Sequence, residues 1–172
     1  MNNNNTIDCI YRANAPYPPI RVDAPNQIYA NEMLSNIGDV VSEMSDVCRY
    51  FYNSIVLREQ FNSFAACFHH ISIVEMYHLD MFAELALLLG ADPRLWSGQT
   101  QKRYWSPEYI SYPRDIRTLI ADSIEAEEAA IYKYTQQANT ISDINIVLVL
   151  ERIILDEEHH VKVFNEMYNN LK

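Results

Sequence analysis

Apolar side chains recur at three- and four-residue steps along the chain, the period of an amphipathic helix. Met33, Ile37, Val40, Met44, Val47, Tyr50, Phe51 and Ile55 predict a first helix from about Asn26 to Val56. Gly38 falls inside it, tolerated at about 1 kcal/mol. Ile71, Phe82, Leu85 and Leu89 predict a second helix from about Arg58 to Leu89, ended by Gly90 and Pro93. Ile116, Ile120, Ile124, Ala130 and Ile131 predict a third from about Pro113 to Ala138. After a short turn at Thr140–Asp143, Ile146, Leu150, Ile153, Phe164, Met167 and Leu171 predict a fourth, reaching about Asn170.

The connection from Ala91 to Tyr112 is long and rich in aromatics, including Trp96, Tyr104, Trp105 and Tyr109. A loop of that length crosses a bundle end to end, or covers a site or interface. Two short turns and one long crossover give an all-α four-helix bundle over residues 26–172, built from two antiparallel hairpins. Residues 1–25 read as an extended N-terminal arm. Its asparagine run is expected to be mobile. The stretch Ala15-Pro16-Tyr17-Pro18-Pro19-Ile20-Arg21-Val22 is stiffened by proline and should pack on the bundle or on a neighbouring subunit.

Charged and polar groups interrupt the apolar stripes in a pattern that occurs twice. Glu43 is followed 32 residues later by Glu75-x-x-His78, and Glu127 is followed 30 residues later by Glu157-x-x-His160. Each lone Glu is followed after seven residues by a Tyr, Tyr50 or Tyr134, and each His after four by a Phe, Phe82 or Phe164. Glu and His at i, i+3 share one helix face and can reach one point. Carboxylate oxygen with imidazole nitrogen suits iron, manganese or zinc. Two divalent cations would balance the four glutamates, which are otherwise costly in a Leu/Ile/Phe interior.

A lone Glu-x-x-His is most often a solvated face, and Asp156-Glu157-Glu158-His159-His160 taken alone reads as a charged exposed patch. The doubled pattern argues against that, because both pairs fall on apolar stripes and each is matched by a stripe Glu one helix earlier. His69, His70 and His159 are assigned to structure or solvent. Glu125 and Glu128 are read as solvated, with a second carboxylate contribution from the third helix left open. Tyr50 and Tyr134 have two readings of equal weight: core aromatics, or donors to a metal-binding carboxylate on the facing helix.

Composition narrows the class. The chain has 172 residues, 49% of them apolar, with three glycines and a formal net charge of −10. That charge argues against a nucleic-acid partner, and no apolar run is long enough to span a bilayer. MNNNNTIDCI has no basic start or apolar stretch, so no signal peptide is expected. Cys9, Cys48 and Cys67 form no Cys-x-x-Cys and are expected to be reduced thiols in a cytoplasmic protein.

With these residues assembled, the chain resembles the ferritin-like di-metal carboxylate superfamily, which includes rubrerythrin, bacterioferritin and manganese catalase. Glu43-Met-Ser-Asp-Val-Cys-Arg-Tyr50 and Val74-Glu75-Met76-Tyr77-His78-Leu79-Asp80-Met81 are similar to the first- and second-helix motifs of manganese catalases. Tyr17-Pro18-Pro19-Ile20 and Leu89-Gly90-Ala91-Asp92-Pro93-Arg94 resemble short ferritin-like proteins of spore-forming bacteria. The resemblance implies two divalent metals, iron or manganese, held by Glu43, Glu75, His78, Glu127, Glu157 and His160, with Tyr50 and Tyr134 steadying the carboxylates. In manganese catalases the carboxylate beside the fourth-helix histidine can stand outside the metals, so Glu157 is either a ligand or a supporting group.

There are departures. Rubrerythrin has a further Glu where this chain has Ala130, and it carries a rubredoxin domain for which no cysteine set exists here. The resemblance implies catalase- or peroxidase-like redox chemistry on hydrogen peroxide or a related oxidant, in a homo-oligomer of two or more copies. The alternative is a non-catalytic metal-binding assembly protein, structural or spore-associated.

Overall fold

The first apolar stripe folds as two helices. The computed structural model describes residues 9–98 and 103–171, so the asparagine run lies outside the described residues. α1 spans Gln27–Gly38 and α2 spans Glu43–Val56. The break has a tertiary cause, reinforced by side chains near it. Gly38 packs against the backbone of the crossover, where a Cβ would fall 2.5 Å from the Trp96 nitrogen. The Ser42 and Ser45 hydroxyls donate to the Asp39 carbonyl, competing with helical bonding. The carbonyl of Val41, freed by the break, accepts from Lys133 Nζ at 2.7 Å.

This break resets the helical phase, so part of the expected stripe faces outward. Val40, Phe51 and Ile55 are 44%, 59% and 45% exposed. The buried face of α2 is instead Glu43, Ser45, Asp46, Tyr50, Asn53 and Ser54.

The remaining helices follow their stripes closely. α3 covers Asn62–Leu88, α4 Ile116–Thr140 and α5 Ile144–Asn169. α3 ends in a Schellman turn: Gly90, at φ 95°, and Ala91 donate back to the carbonyls of Leu87 and Ala86. Asp115 and Asp143 cap α4 and α5 by accepting the amides of Thr118 and Asn145. α2 pairs with α3 and α4 with α5, giving two hairpins, with α1 packed on α3. The crossover between α3 and α4 includes a 3-10 turn at Pro107–Tyr109. Trp105 Nε1 anchors it to Ser45 Oγ at 3.0 Å.

The interior is layered. One apolar cluster holds Met33, Ile37, Phe82, Leu85, Val149 and Ile153. A second holds Phe64, Phe68, Ile71, Ile120, Phe164 and Met167. In every long helix the polar stripe residues fall between the two clusters. A buried polar layer is thereby enclosed above and below.

The arm lies on the α3/α5 side. Ile20 and Val22 pack on the first cluster, and Cys9 on the second. The expectation of reduced thiols fails here: Cys9 and Cys67 form a disulfide, and Cys48 alone is free. The arm lays Cys9 against α3, a proximity that sequence spacing does not reveal. The cysteines therefore no longer argue for a reducing compartment. Among the described residues no helix is long and apolar enough to cross a membrane.

Candidate metal centre

Glu43 opens α2. Glu75 and His78 stand midway along α3, Glu127 on α4, and Glu157 and His160 on α5. None of the six is more than 1% exposed. They converge in two overlapping groups, Glu43 with Glu75, His78 and Glu157, and Glu127 with Glu75, Glu157 and His160. In each group one ligand atom per residue lies within 4.8 Å of all the others. Glu75 and Glu157 belong to both.

The imidazoles are arranged by an approximate twofold relation. His78 Nδ1 lies 2.8 Å from Glu75 Oε2, 3.1 Å from Glu157 Oε1 and 3.5 Å from Glu43 Oε2. His160 Nδ1 lies 2.9 Å from Glu157 Oε2, 3.0 Å from Glu75 Oε1 and 3.3 Å from Glu127 Oε1. Their other nitrogens point outward. His78 Nε2 donates to Asp156 Oδ2 at 3.1 Å, and His160 Nε2 to the Tyr11 carbonyl at 2.9 Å. Both acceptors require the proton on Nε2, which leaves each Nδ1 lone pair aimed into the cluster.

Several features match a cation between these groups. Glu75 Oε1 and Glu157 Oε1 are buried without a well-aligned hydrogen bond and face the Nδ1 atoms of His160 and His78 at 3.0 and 3.1 Å, an arrangement that a cation between them would satisfy. Burial, reinforced by neighbouring carboxylates, pushes Glu43 and Glu127 well above the usual carboxylate range. Burial also pushes Glu75 up, but His160 and His78 outweigh it and hold Glu75 at about 2. Burial pulls both imidazoles down, yet the carboxylates around them raise each well above the ordinary histidine value. The carboxylates that favour the imidazolium form in the metal-free cluster would equally favour a cation in its place. Oxygen and nitrogen donors in this number suit a pair of first-row divalent ions.

Two hydroxyls brace the cluster across α2 and α4. Tyr50 donates to Glu127 Oε1 at 2.6 Å, and Tyr134 makes a short hydrogen bond to Glu43 Oε1. Burial raises both phenols well above their usual range, so they remain donors. Phe82 and Phe164, both fully buried, pack on Tyr134 and Tyr50 and exclude water. His69 and His70 are exposed, as are Glu125 and Glu128. His159 Nδ1 donates to the Leu155 carbonyl.

Sequence reasoning overlooked Asp156. It is fully buried, accepts from His78, and is paired with Arg152 at 2.8 Å. Its position three after Ile153 and four before His160 places it on the inward stripe, a signal masked by the charged run around it. Asp46, buried and three after Glu43, was also missed. It lines a cleft of about 370 Å³ between α2 and α4, together with Arg49, Asp122, Ala126 and Ala129. That cleft is on the flank opposite the histidines.

A ferritin-like domain family model matches residues 48–172. The chain belongs to that family. A probable manganese catalase of Clostridium acetobutylicum is 23% identical to this ferritin-like chain, over 89% of this chain and 76% of its own length. Among solved structures, a manganese catalase from Anabaena superposes with a TM-score of 0.82 at 18% identity, covering 94% of this chain and 80% of its own. The bacterioferritin of Desulfovibrio desulfuricans superposes at 0.70 with 21% identity, covering 83% and 80%. These likenesses establish the fold, a ferritin-like four-helix bundle; in this chain the first helix is broken.

Proposed function

We propose that this ferritin-like chain is a dinuclear metal-carboxylate protein that holds two iron or manganese ions and acts on hydrogen peroxide or a related small oxidant. The observation that carries the reading is the sharing of Glu75 and Glu157 between both imidazoles inside a buried layer. Glu43 and His78 would serve one ion, and Glu127 and His160 the other. Glu75 and Glu157 would serve both. This assigns Glu157 as a ligand.

Two adjacent redox metals, when bound, supply the electron pair that a peroxide accepts or returns. The chain's own groups do the rest. Four carboxylates balance the charge of two divalent ions. Tyr50 and Tyr134 hold Glu127 and Glu43 in place, and the phenylalanines keep the layer dry. The cleft beside Asp46 and Arg49, on the α2/α4 flank away from the arm, is our candidate approach for the oxidant. Relatedness to the probable manganese catalase supports peroxide as that oxidant.

A second reading, a metal-binding assembly protein, draws on the outer face of α3, where Met76, Tyr77 and Leu87 are 55%, 57% and 60% exposed. Such a face supports a homo-oligomer, which light scattering would detect. The two readings separate in one experiment. Chain loaded with manganese or iron should consume hydrogen peroxide faster than the same free metal, and Glu75→Gln should not. Intact metal with no turnover above the free ion leaves only the assembly reading.

A further inference from the structure

The arm carries an arrangement that the metal reading leaves unexplained. It lies outside the residues matched by the family, yet it reaches the outward nitrogen of one imidazole directly and of the other through one carboxylate. The Tyr11 carbonyl accepts from His160 Nε2 at 2.9 Å. The Ala13 amide donates to Asp156 Oδ1 at 2.6 Å, and the Tyr17 hydroxyl donates to Asp156 Oδ2 at 2.5 Å. That same Oδ2 accepts from His78 Nε2 at 3.1 Å.

Several contacts hold the described part of the arm there. Arg152 Nε and Nη2 donate to the carbonyls of Ala15 and Ala13 at 2.8 and 3.1 Å, and its guanidinium lies 4.1 Å from the Tyr17 ring centre. Tyr11 stacks on His70 of α3 at 5.0 Å. The disulfide joins Cys9 to Cys67, one turn before His70, across a separation of 58 residues. The bond closes the end of a segment whose next residues supply or orient the acceptors of both imidazoles.

We propose that the N-terminal arm is a clasp that positions His78 and His160, and that the Cys9–Cys67 disulfide is its latch, so that the metal-holding strength of the centre depends on a thiol–disulfide couple. This rests on the metal reading above. The outward hydrogen bond of a ligand imidazole fixes its tautomer and ring angle, and loss of such a partner weakens metal affinity by about 10–100-fold. Unlatching is a two-electron, two-proton reduction. A dithiol gives two hydrogens and becomes its own disulfide, and the Cys9–Cys67 bond becomes two thiols. With its end free, the arm opens by local unfolding. His160 then loses its acceptor, and Asp156 loses two of its donors.

The test compares the manganese-loaded full chain, oxidised, with the same chain reduced by a trialkylphosphine. The phosphine takes oxygen from water as the disulfide takes up two hydrogens. Cys9→Ser provides the same state without reductant. Release of manganese to a chelator should quicken about tenfold or more in both unlatched forms. The manganese paramagnetic resonance spectrum should change while helix content by circular dichroism does not. Hydrogen exchange at the Ala13 amide should accelerate. Equal release rates and an unchanged spectrum in latched and unlatched chains, both holding metal, overturn the clasp and leave the metal reading intact. Free thiols at Cys9 and Cys67 in the isolated protein overturn the latch. An oxidised chain that takes up no metal removes the centre, and the clasp with it.

Discussion

Glu75 and Glu157 are interchanged by the symmetry of the site. One oxygen of each meets His78 Nδ1, at 2.8 and 3.1 Å, and the other meets His160 Nδ1, at 3.0 and 2.9 Å. Each carboxylate is thus common to both ligand groups, whereas Glu43 and Glu127 belong to one group apiece. Replacing a shared group should therefore do more harm than replacing an unshared one. Glu75→Gln is expected to lose both ions, and Glu43→Gln to retain about one of two. Metal content per chain by elemental analysis checks this. Equal losses in the two variants would contradict the sharing.

The tyrosine braces make a second prediction. Tyr50→Phe removes a fully buried donor and leaves Glu127 Oε1 without it. The expected cost is about 1–3 kcal/mol in the metal-free chain, with manganese affinity down by about 10–100-fold. Tyr134→Phe should act alike on Glu43. Denaturant unfolding and metal titration read the two effects separately.

The cluster's protonation sets opposite pH dependences for metal-free stability and for metal binding. In the metal-free chain burial lowers both imidazoles, but Glu157 and Asp156 at His78, and Glu75 and Glu127 at His160, raise them net. A raised folded value means that their stabilising contribution is fully present below the unfolded value of about 6.5 and fades as pH climbs through the folded one. Cations compete with those same protons, so metal binding strengthens with pH and releases protons. Thermal midpoints taken from about pH 6.5 upward should fall for the metal-free chain, and the gap to the loaded chain should widen. A gap that narrows would contradict the account.

Gly38 supplies a test of the broken helix. In a regular helix interior, Gly→Ala is favourable by about 1 kcal/mol. Here the added Cβ would meet the Trp96 nitrogen at 2.5 Å and the Leu95 carbonyl carbon at 2.8 Å. Gly38→Ala is therefore expected to destabilise by about 1–3 kcal/mol, as overpacking does, measured by denaturant unfolding.

Much of this was legible in the chain itself. The stripes of α3, α4 and α5 gave their extents to within a few residues, because apolar period and caps agree there. The doubled Glu and Glu-x-x-His spacing picked out the six groups that meet, because helix period alone carries them to one level of the bundle. The split of α1 from α2 was hidden, since it depends on the crossover backbone pressing on Gly38, a contact distant in sequence. Asp156 was hidden by its charged neighbours Glu157 and Glu158. The disulfide and the Tyr11 carbonyl were hidden because an irregular arm has no period from which its course can be read.

Crystals of the chain grown with manganese, measured at the manganese absorption edge, test the central claim most directly. Two anomalous peaks should stand within the polar layer, one beside His78 Nδ1 and one beside His160 Nδ1, both in reach of Glu75 and Glu157. Absence of peaks in that layer, or peaks only among exposed acidic side chains, would contradict it.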